Sequence, residues 1–101
     1  MFIKPGVRLD NLTPQMVLAA LIVREVFRAY MLEATITSGS EGTHKSGSLH
    51  SQGNALDFRT HALTPLKIES LAAQIRDRLG NLYDVVIEPN HLHVEYDPPG
   101  P

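Results

Sequence analysis

The sequence predicts one α+β domain in which two helices pack on a small, mainly antiparallel sheet. Three observations lead there. The chain has 101 residues, enough for one core and too few for two. Two segments open on the same pair, Thr13-Pro14 and Thr64-Pro65, and run on in good helix formers. The other ordered segments are short and β-branched or alternating. Together they give the order α-β-β-α-β-β, which suits helices laid on an antiparallel sheet.

The elements follow in order. Thr13 can cap free amides and Pro14 suits the first helical position, so a helix runs from there to about Leu32. Val17, Leu21, Phe27, Tyr30 and Met31 form its expected buried stripe, with Arg24, Glu25 and Arg28 on the wet side. Ala34–Ser38 is a short β-branched strand. Gly39 to Ser48 carries three glycines among Ser, Thr and His and reads as loop. Asn54–Thr60 is the second strand. The helix opened by Thr64-Pro65 carries Leu66, Ile68, Leu71, Ala72, Ile75 and Leu79 and stops at Gly80. Leu82–Glu88 and His91–Tyr96 are strands around Pro89-Asn90. The tail 97–101, Asp-Pro-Pro-Gly-Pro, continues neither helix nor strand and is expected to be loose. No repeat or linker interrupts the span 1–101.

Bulk chemistry narrows the function. The net charge is −2, so a broad basic face for nucleic acid is not expected. There is no cysteine, which excludes disulfides and thiolate metal sites. A bound metal must use His, Asp or Glu. No apolar run approaches the roughly 20 residues of a membrane span. The N-terminus lacks the pattern of a signal peptide. A soluble, monomeric chain made in the cytoplasm is expected, with no membrane partner.

Four of the five histidines fall in two clusters, His44 with His50 and His91 with His93. Side chains alternate along a strand. Ala55, Asp57 and Arg59 therefore share one face of the second strand, and His91, His93 and Glu95 share one face of the last. Neighbouring strands could aim Asp57 and His93 into one cleft. Catalytic zinc takes three protein ligands from His and carboxylate and leaves a position for water. His50, Asp57 and His93 supply that set, although other divalent ions accept such ligands. Two neutral imidazoles and one carboxylate leave a site of net charge +1, which favours ionisation of bound water. Peptide hydrolysis also needs a proton shuttle. Glu88, which flanks the Pro89-Asn90 turn opposite His91, is the candidate. Glu95 reads as a rim or structural carboxylate and His61 as a surface residue.

The run Ser46-Gly47-Ser48-Leu49-His50-Ser51-Gln52-Gly53-Asn54-Ala55-Leu56-Asp57 resembles the Ser-x-x-His/Ser-x-His…Gly-x-Ala-x-Asp signature of the zinc D-alanyl-D-alanine peptidase superfamily. That group includes peptidoglycan carboxypeptidases, D-Ala-D-Ala dipeptidases, phage L-alanyl-D-glutamate endolysins and the hedgehog signalling domain. His91-Leu92-His93-Val94 is similar to its late His-x-His element, and His44 to the hedgehog-like branch. The resemblance runs from about Thr37 to Tyr96.

The resemblance implies a hedgehog/DD-peptidase-like fold and one zinc ion per chain on His50, Asp57 and His93. It implies His91 as oxyanion stabiliser, Glu88 as general base, and His44 as a substrate or supporting residue. The expected activity is hydrolysis of peptide bonds in peptidoglycan stem peptides, as a carboxypeptidase or an endolysin-like endopeptidase, with a phage origin and delivery to the cell wall. The alternative is a non-catalytic, zinc-stabilised partner-binding domain of hedgehog type. Two departures stand out. Glu88 and His91 also form Glu-x-x-His, a pattern in which that histidine is the ligand, so His91 competes with His93. Ser38-Gly39-Ser40-Glu41 lacks the arginine that many carboxypeptidases of the group carry there, which leaves Lys45 or Arg59 to hold a substrate carboxylate.

Overall fold

A computed structural model describes residues 1–42 and 48–98. The elements are β1 (Phe2–Ile3), α1 (Pro14–Ala29), β2 (Thr35–Ser38), β3 (Ala55–Arg59), α2 (Pro65–Leu79), β4 (Tyr83–Ile87) and β5 (His91–Tyr96). The five strands form one sheet in the order β1-β2-β3-β5-β4. β1 runs parallel to β2, and the other neighbours are antiparallel. The sheet is therefore mixed, which corrects the expectation of a mainly antiparallel one. The source of the error is β1: two exposed residues are too short to show alternation, so Phe2 and Ile3 gave no strand signal.

Both helices start as their sequence dictates. Thr13 Oγ1 accepts from the Met16 amide at 3.3 Å, and Thr64 Oγ1 accepts from the Lys67 amide at 3.3 Å, each with proline at the first helical position. α1 ends at Ala29, before the expected Leu32. The Tyr30 amide bonds back to Phe27 and Met31 turns to φ +60°. The buried stripe of α1 is Met16, Ala19, Ala20, Val23, Val26 and Phe27. Val17 and Leu21 are 46% exposed and Met31 94%, so three of the five expected core positions lie outside. The reason is rotational. Alanine at 19 and 20 lets the helix approach the sheet closely along the face of Met16, and Val17 stands one residue, or about 100°, away from it. Leu66 of α2 is likewise exposed, while Leu71, Ala72 and Ile75 are buried. Arg76 ties α2 to β4, donating from Nη2 to the Val85 carbonyl at 2.6 Å.

The helices cover the sheet face that carries Ile36, Leu56, Phe58, Val85, Leu92 and Val94, all buried in one core with the α1 and α2 stripes. The opposite face carries mainly polar residues, with Ala55 and Val86 among them. β2 is bulged, because Ile36 pairs with Phe58 and Ser38 with Asp57.

The chain before α1 is strapped to the loop between β2 and β3. The Thr13 amide donates to the Gly53 carbonyl at 3.2 Å, Thr13 Oγ1 lies 2.9 Å from Asn54 Oδ1, and Asn11 Nδ2 donates to the Ser51 carbonyl. Gly53 sits at φ +76°, and a Cβ there would come within 2.1 Å of the Asn11 carbonyl oxygen. Gly39 is as tight, with the Arg8 carbonyl 2.2 Å from an added Cβ. No helix among the described residues is long and apolar enough to cross a membrane.

Gly53→Ala therefore meets both backbone strain and a backbone clash and should destabilise the fold by about 2–4 kcal/mol. Gly6→Ala, also at positive φ but with nothing within 4 Å, should cost about 1–2 kcal/mol. Urea unfolding of the two variants checks the difference.

Candidate metal centre

The β3–β5 register builds the site. Asp57 pairs with His93, Arg59 with His91 and Ala55 with Glu95. Paired residues share a face, and Leu56, Phe58, Leu92 and Val94 alternate with them into the core. The polar face therefore gathers Asp57, Arg59, His91, His93 and Glu95 at the middle of the sheet. β4 adds Val86 beside His93 and Asp84 beside Glu95. Glu88 lies across the Pro89-Asn90 turn from His91, its amide donating to the His91 carbonyl at 2.9 Å. His50 arrives from the loop before β3 and is buried.

Three side chains converge. His50 Nε2 and His93 Nδ1 lie 3.2 Å apart, and Asp57 Oδ1 is 3.2 Å from the first and 3.0 Å from the second. The candidate ligand atoms of His50, Asp57 and His93 fall within 4.8 Å of one another, a group that could hold a metal ion. His91 Nε2 is outside this group, 3.7 Å from Asp57 Oδ2, and His91 Nδ1 is 2.7 Å from Asn90 Oδ1.

Two partners orient the rings. His50 Nδ1 is 3.0 Å from the Gly39 carbonyl, which only accepts, so this nitrogen carries the proton. A metal at the centre would therefore meet the Nε2 lone pair, while without one Nε2 can carry a second proton and donate to Asp57. His93 Nε2 is 2.7 Å from Glu95 Oε1, which leaves Nδ1 to face Asp57. Metal-bound histidines characteristically donate their second N–H to a carbonyl or carboxylate, which holds the ring and raises its basicity. His50 has the carbonyl and His93 the carboxylate.

The charges are coupled. Burial alone would raise the Asp57 carboxyl, but hydrogen bonds from His50 and His93 outweigh it and hold the group well below the usual carboxylate range. The hydrogen bond to Asp57 raises His93 above an ordinary histidine. Burial opposes that rise, and Glu95 adds to it.

The structure thus brings together His50, Asp57 and His93, with His91 at the edge. Glu88 stands beside His91 on the same face, and among the described residues its carboxylate makes no hydrogen bond or ion pair. His44 and Lys45 lie outside the described residues. Arg59 and His61 line a cleft of about 610 Å³ that opens next to Asp57 and His91. Thr37 and Ser38 line it together, as the bulge in β2 allows consecutive residues to do. Sequence reasoning missed two roles. Glu95 lies on the face that alternation gives it, but its contact with His93 two residues away does not follow from alternation. The Gly39 carbonyl has no side chain to mark it, and only the glycine hinted at close packing. No family model, curated protein or solved structure matches this chain.

The pH dependence of metal-free protein has a defined sign. Asp57 contributes stability above its unfolded pKa of about 3.9, lost as pH falls through the lowered folded value. His93 contributes below its unfolded pKa of about 6.5, lost as pH rises through the raised folded value. Unfolding midpoints measured against pH should be highest between about pH 4 and 6.5 and flatter in Asp57→Asn. Glu95→Gln should lower the His93 pKa read by NMR.

Proposed function

We propose that this protein is a zinc-dependent peptidase that cleaves peptide bonds in peptidoglycan stem peptides. The observation that carries the metal part of the reading is the convergence of His50, Asp57 and His93 with both rings already oriented by the Gly39 carbonyl and Glu95. Two imidazoles and a carboxylate match the ligand count of a hydrolytic zinc site that keeps a coordination position for water. The substrate class rests on the resemblance of the His50–Asp57 and His91–His93 segments to the D-alanyl-D-alanine peptidase superfamily.

Zinc held there supplies Lewis acidity, polarising the scissile carbonyl and lowering the pKa of water to about 7. The chain's own groups do the rest. Glu88 takes the proton of the attacking water and returns it to the departing amine. His91, which lines the cleft beside Asp57, donates an N–H to the oxyanion as the carbonyl becomes tetrahedral. His50, Asp57 and His93 are fixed by the sheet and the strapped loop, so the centre does not move while the proton does.

Metal analysis of protein purified without a histidine tag should find one zinc per chain, lost in His50→Ala, Asp57→Ala and His93→Ala. Glu88→Gln should keep the zinc and lower kcat on stem peptides by about 10²–10⁴-fold. A wild type that stays metal-free after zinc is supplied would overturn the reading. Full activity in Glu88→Gln would remove Glu88 from the chemistry. Zinc without hydrolysis of any stem peptide would leave a zinc-stabilised binding domain.

A further inference from the structure

Of the three side chains that converge, only His50 comes from a loop, and its ring is bonded to a backbone carbonyl, that of Gly39, 3.0 Å from Nδ1. Gly39 is buried, and close approach demands a glycine there, since a Cβ would lie 2.2 Å from the Arg8 carbonyl oxygen. Glycine also has the widest backbone freedom of any residue. Its own sterics therefore do not set the direction of the carbonyl that the histidine needs. Some other contact must.

The bonds around Gly39 supply it. The planar peptide unit from Gly39 to Ser40 is gripped at both ends. Its carbonyl meets His50 Nδ1, and the Ser40 amide donates to the Arg8 carbonyl at 2.9 Å. The Ser40 hydroxyl donates to the same oxygen at 3.3 Å. On the other side, the Gly39 amide donates to Glu41 Oε1 at 2.8 Å, and the Arg8 amide donates to that same oxygen at 3.0 Å. One carboxylate oxygen thus joins two segments 33 residues apart in the chain. Burial alone would raise the Glu41 carboxyl, but hydrogen bonds from the Arg8, Glu41 and Gly39 amides and from Ser38 outweigh it and hold the group below the usual carboxylate range. Glu41 is therefore an ionised acceptor at neutral pH, turned toward backbone rather than toward the cleft.

We propose that Glu41 is a positioning residue for His50. Its carboxylate locks Gly39 against Arg8, which aims the Gly39 carbonyl at Nδ1 and so turns Nε2 toward Asp57 and His93. The place of the oxygen between two amides carries the role, and a neutral amide oxygen at the same place accepts both bonds too. The proposal rests on the metal reading for what Nε2 does, and on these bonds alone for the placement of the ring.

The test compares wild type with two variants. Glu41→Gln keeps an oxygen at the same reach and loses the charge. Glu41→Asp keeps the charge and draws the oxygen back by one C–C bond, about 1.5 Å. In metal-free, ¹⁵N-labelled protein, NMR reads how fast the His50 Nδ1 proton exchanges with water. It should be protected in wild type and in Glu41→Gln. In Glu41→Asp its exchange should speed by about 10-fold, while the β3 and β5 amides keep their protection. In zinc titrations against a competing chelator, affinity should fall by about 10-fold in Glu41→Asp and by less than about 3-fold in Glu41→Gln. Protection lost in Glu41→Asp alone, with no zinc bound by any of the three proteins, supports the positioning role and removes only the metal and peptidase readings. A Nδ1 proton that exchanges freely in wild type, or is protected equally in Glu41→Asp, overturns the role whatever zinc does. Equal loss in Glu41→Gln and Glu41→Asp overturns it as well, because the reach of the oxygen would then not be the cause.

Discussion

The pairing of β3 with β5 is the constraint on which the rest depends, since one register sets both the core and the site. Leu56 and Phe58 meet Val94 and Leu92 on the helix side, while Asp57 meets His93 on the other. Side chains alternate with period two, so a slip of one residue would carry the apolar set onto the open face and bury the ionisable set under the helices. Burial of Leu56, Phe58, Leu92 and Val94, each worth about 1.5–3 kcal/mol, therefore also enforces the meeting of Asp57 and His93. Packing energy on one face holds the geometry of polar groups on the other.

His50 is not on a strand, and a second device places it. Residues 48–54 are bonded to the start of α1 through Thr13, Asn11 and Gly53, and the His50 ring is bonded to the Gly39 carbonyl. Gly39 and Gly53 both lie so near other backbone that no side chain fits. The glycines around the histidine allow that close approach, Gly53 to Asn11 and Gly39 to Arg8. Thr13 serves twice, as helix cap and as anchor of the loop, so helix α1 and the histidine loop are ordered together.

Much of this was legible in the chain. Both Thr-Pro helix starts, β5 over its full length and the opposed faces of β3 and β5 follow from capping chemistry and period-two alternation. So does the grouping of Asp57 with His93 once the strands are made neighbours. What was not legible has physical reasons. β1 is two residues held by pairing alone, and pairing is not written in two residues. The rotation of α1 depended on which of two adjacent apolar rows, Met16 or Val17, met the sheet, and the small residues Ala19 and Ala20 decided it. Roles played by backbone, as at Gly39, leave no residue type to read. That Lys4 and Arg59, far apart in the chain, line the same cleft likewise follows only from the fold.

The line from Asp57 through His93 to Glu95 has a consequence for how such a centre is made. With His93 protonated, one positive ring lies between two carboxylates, and a single proton answers the charge that a cation would otherwise answer. The proton acts as a placeholder. If the centre holds an ion, its arrival at His50, Asp57 and His93 displaces that proton, so one cation takes the place of another and uptake weakens as pH falls.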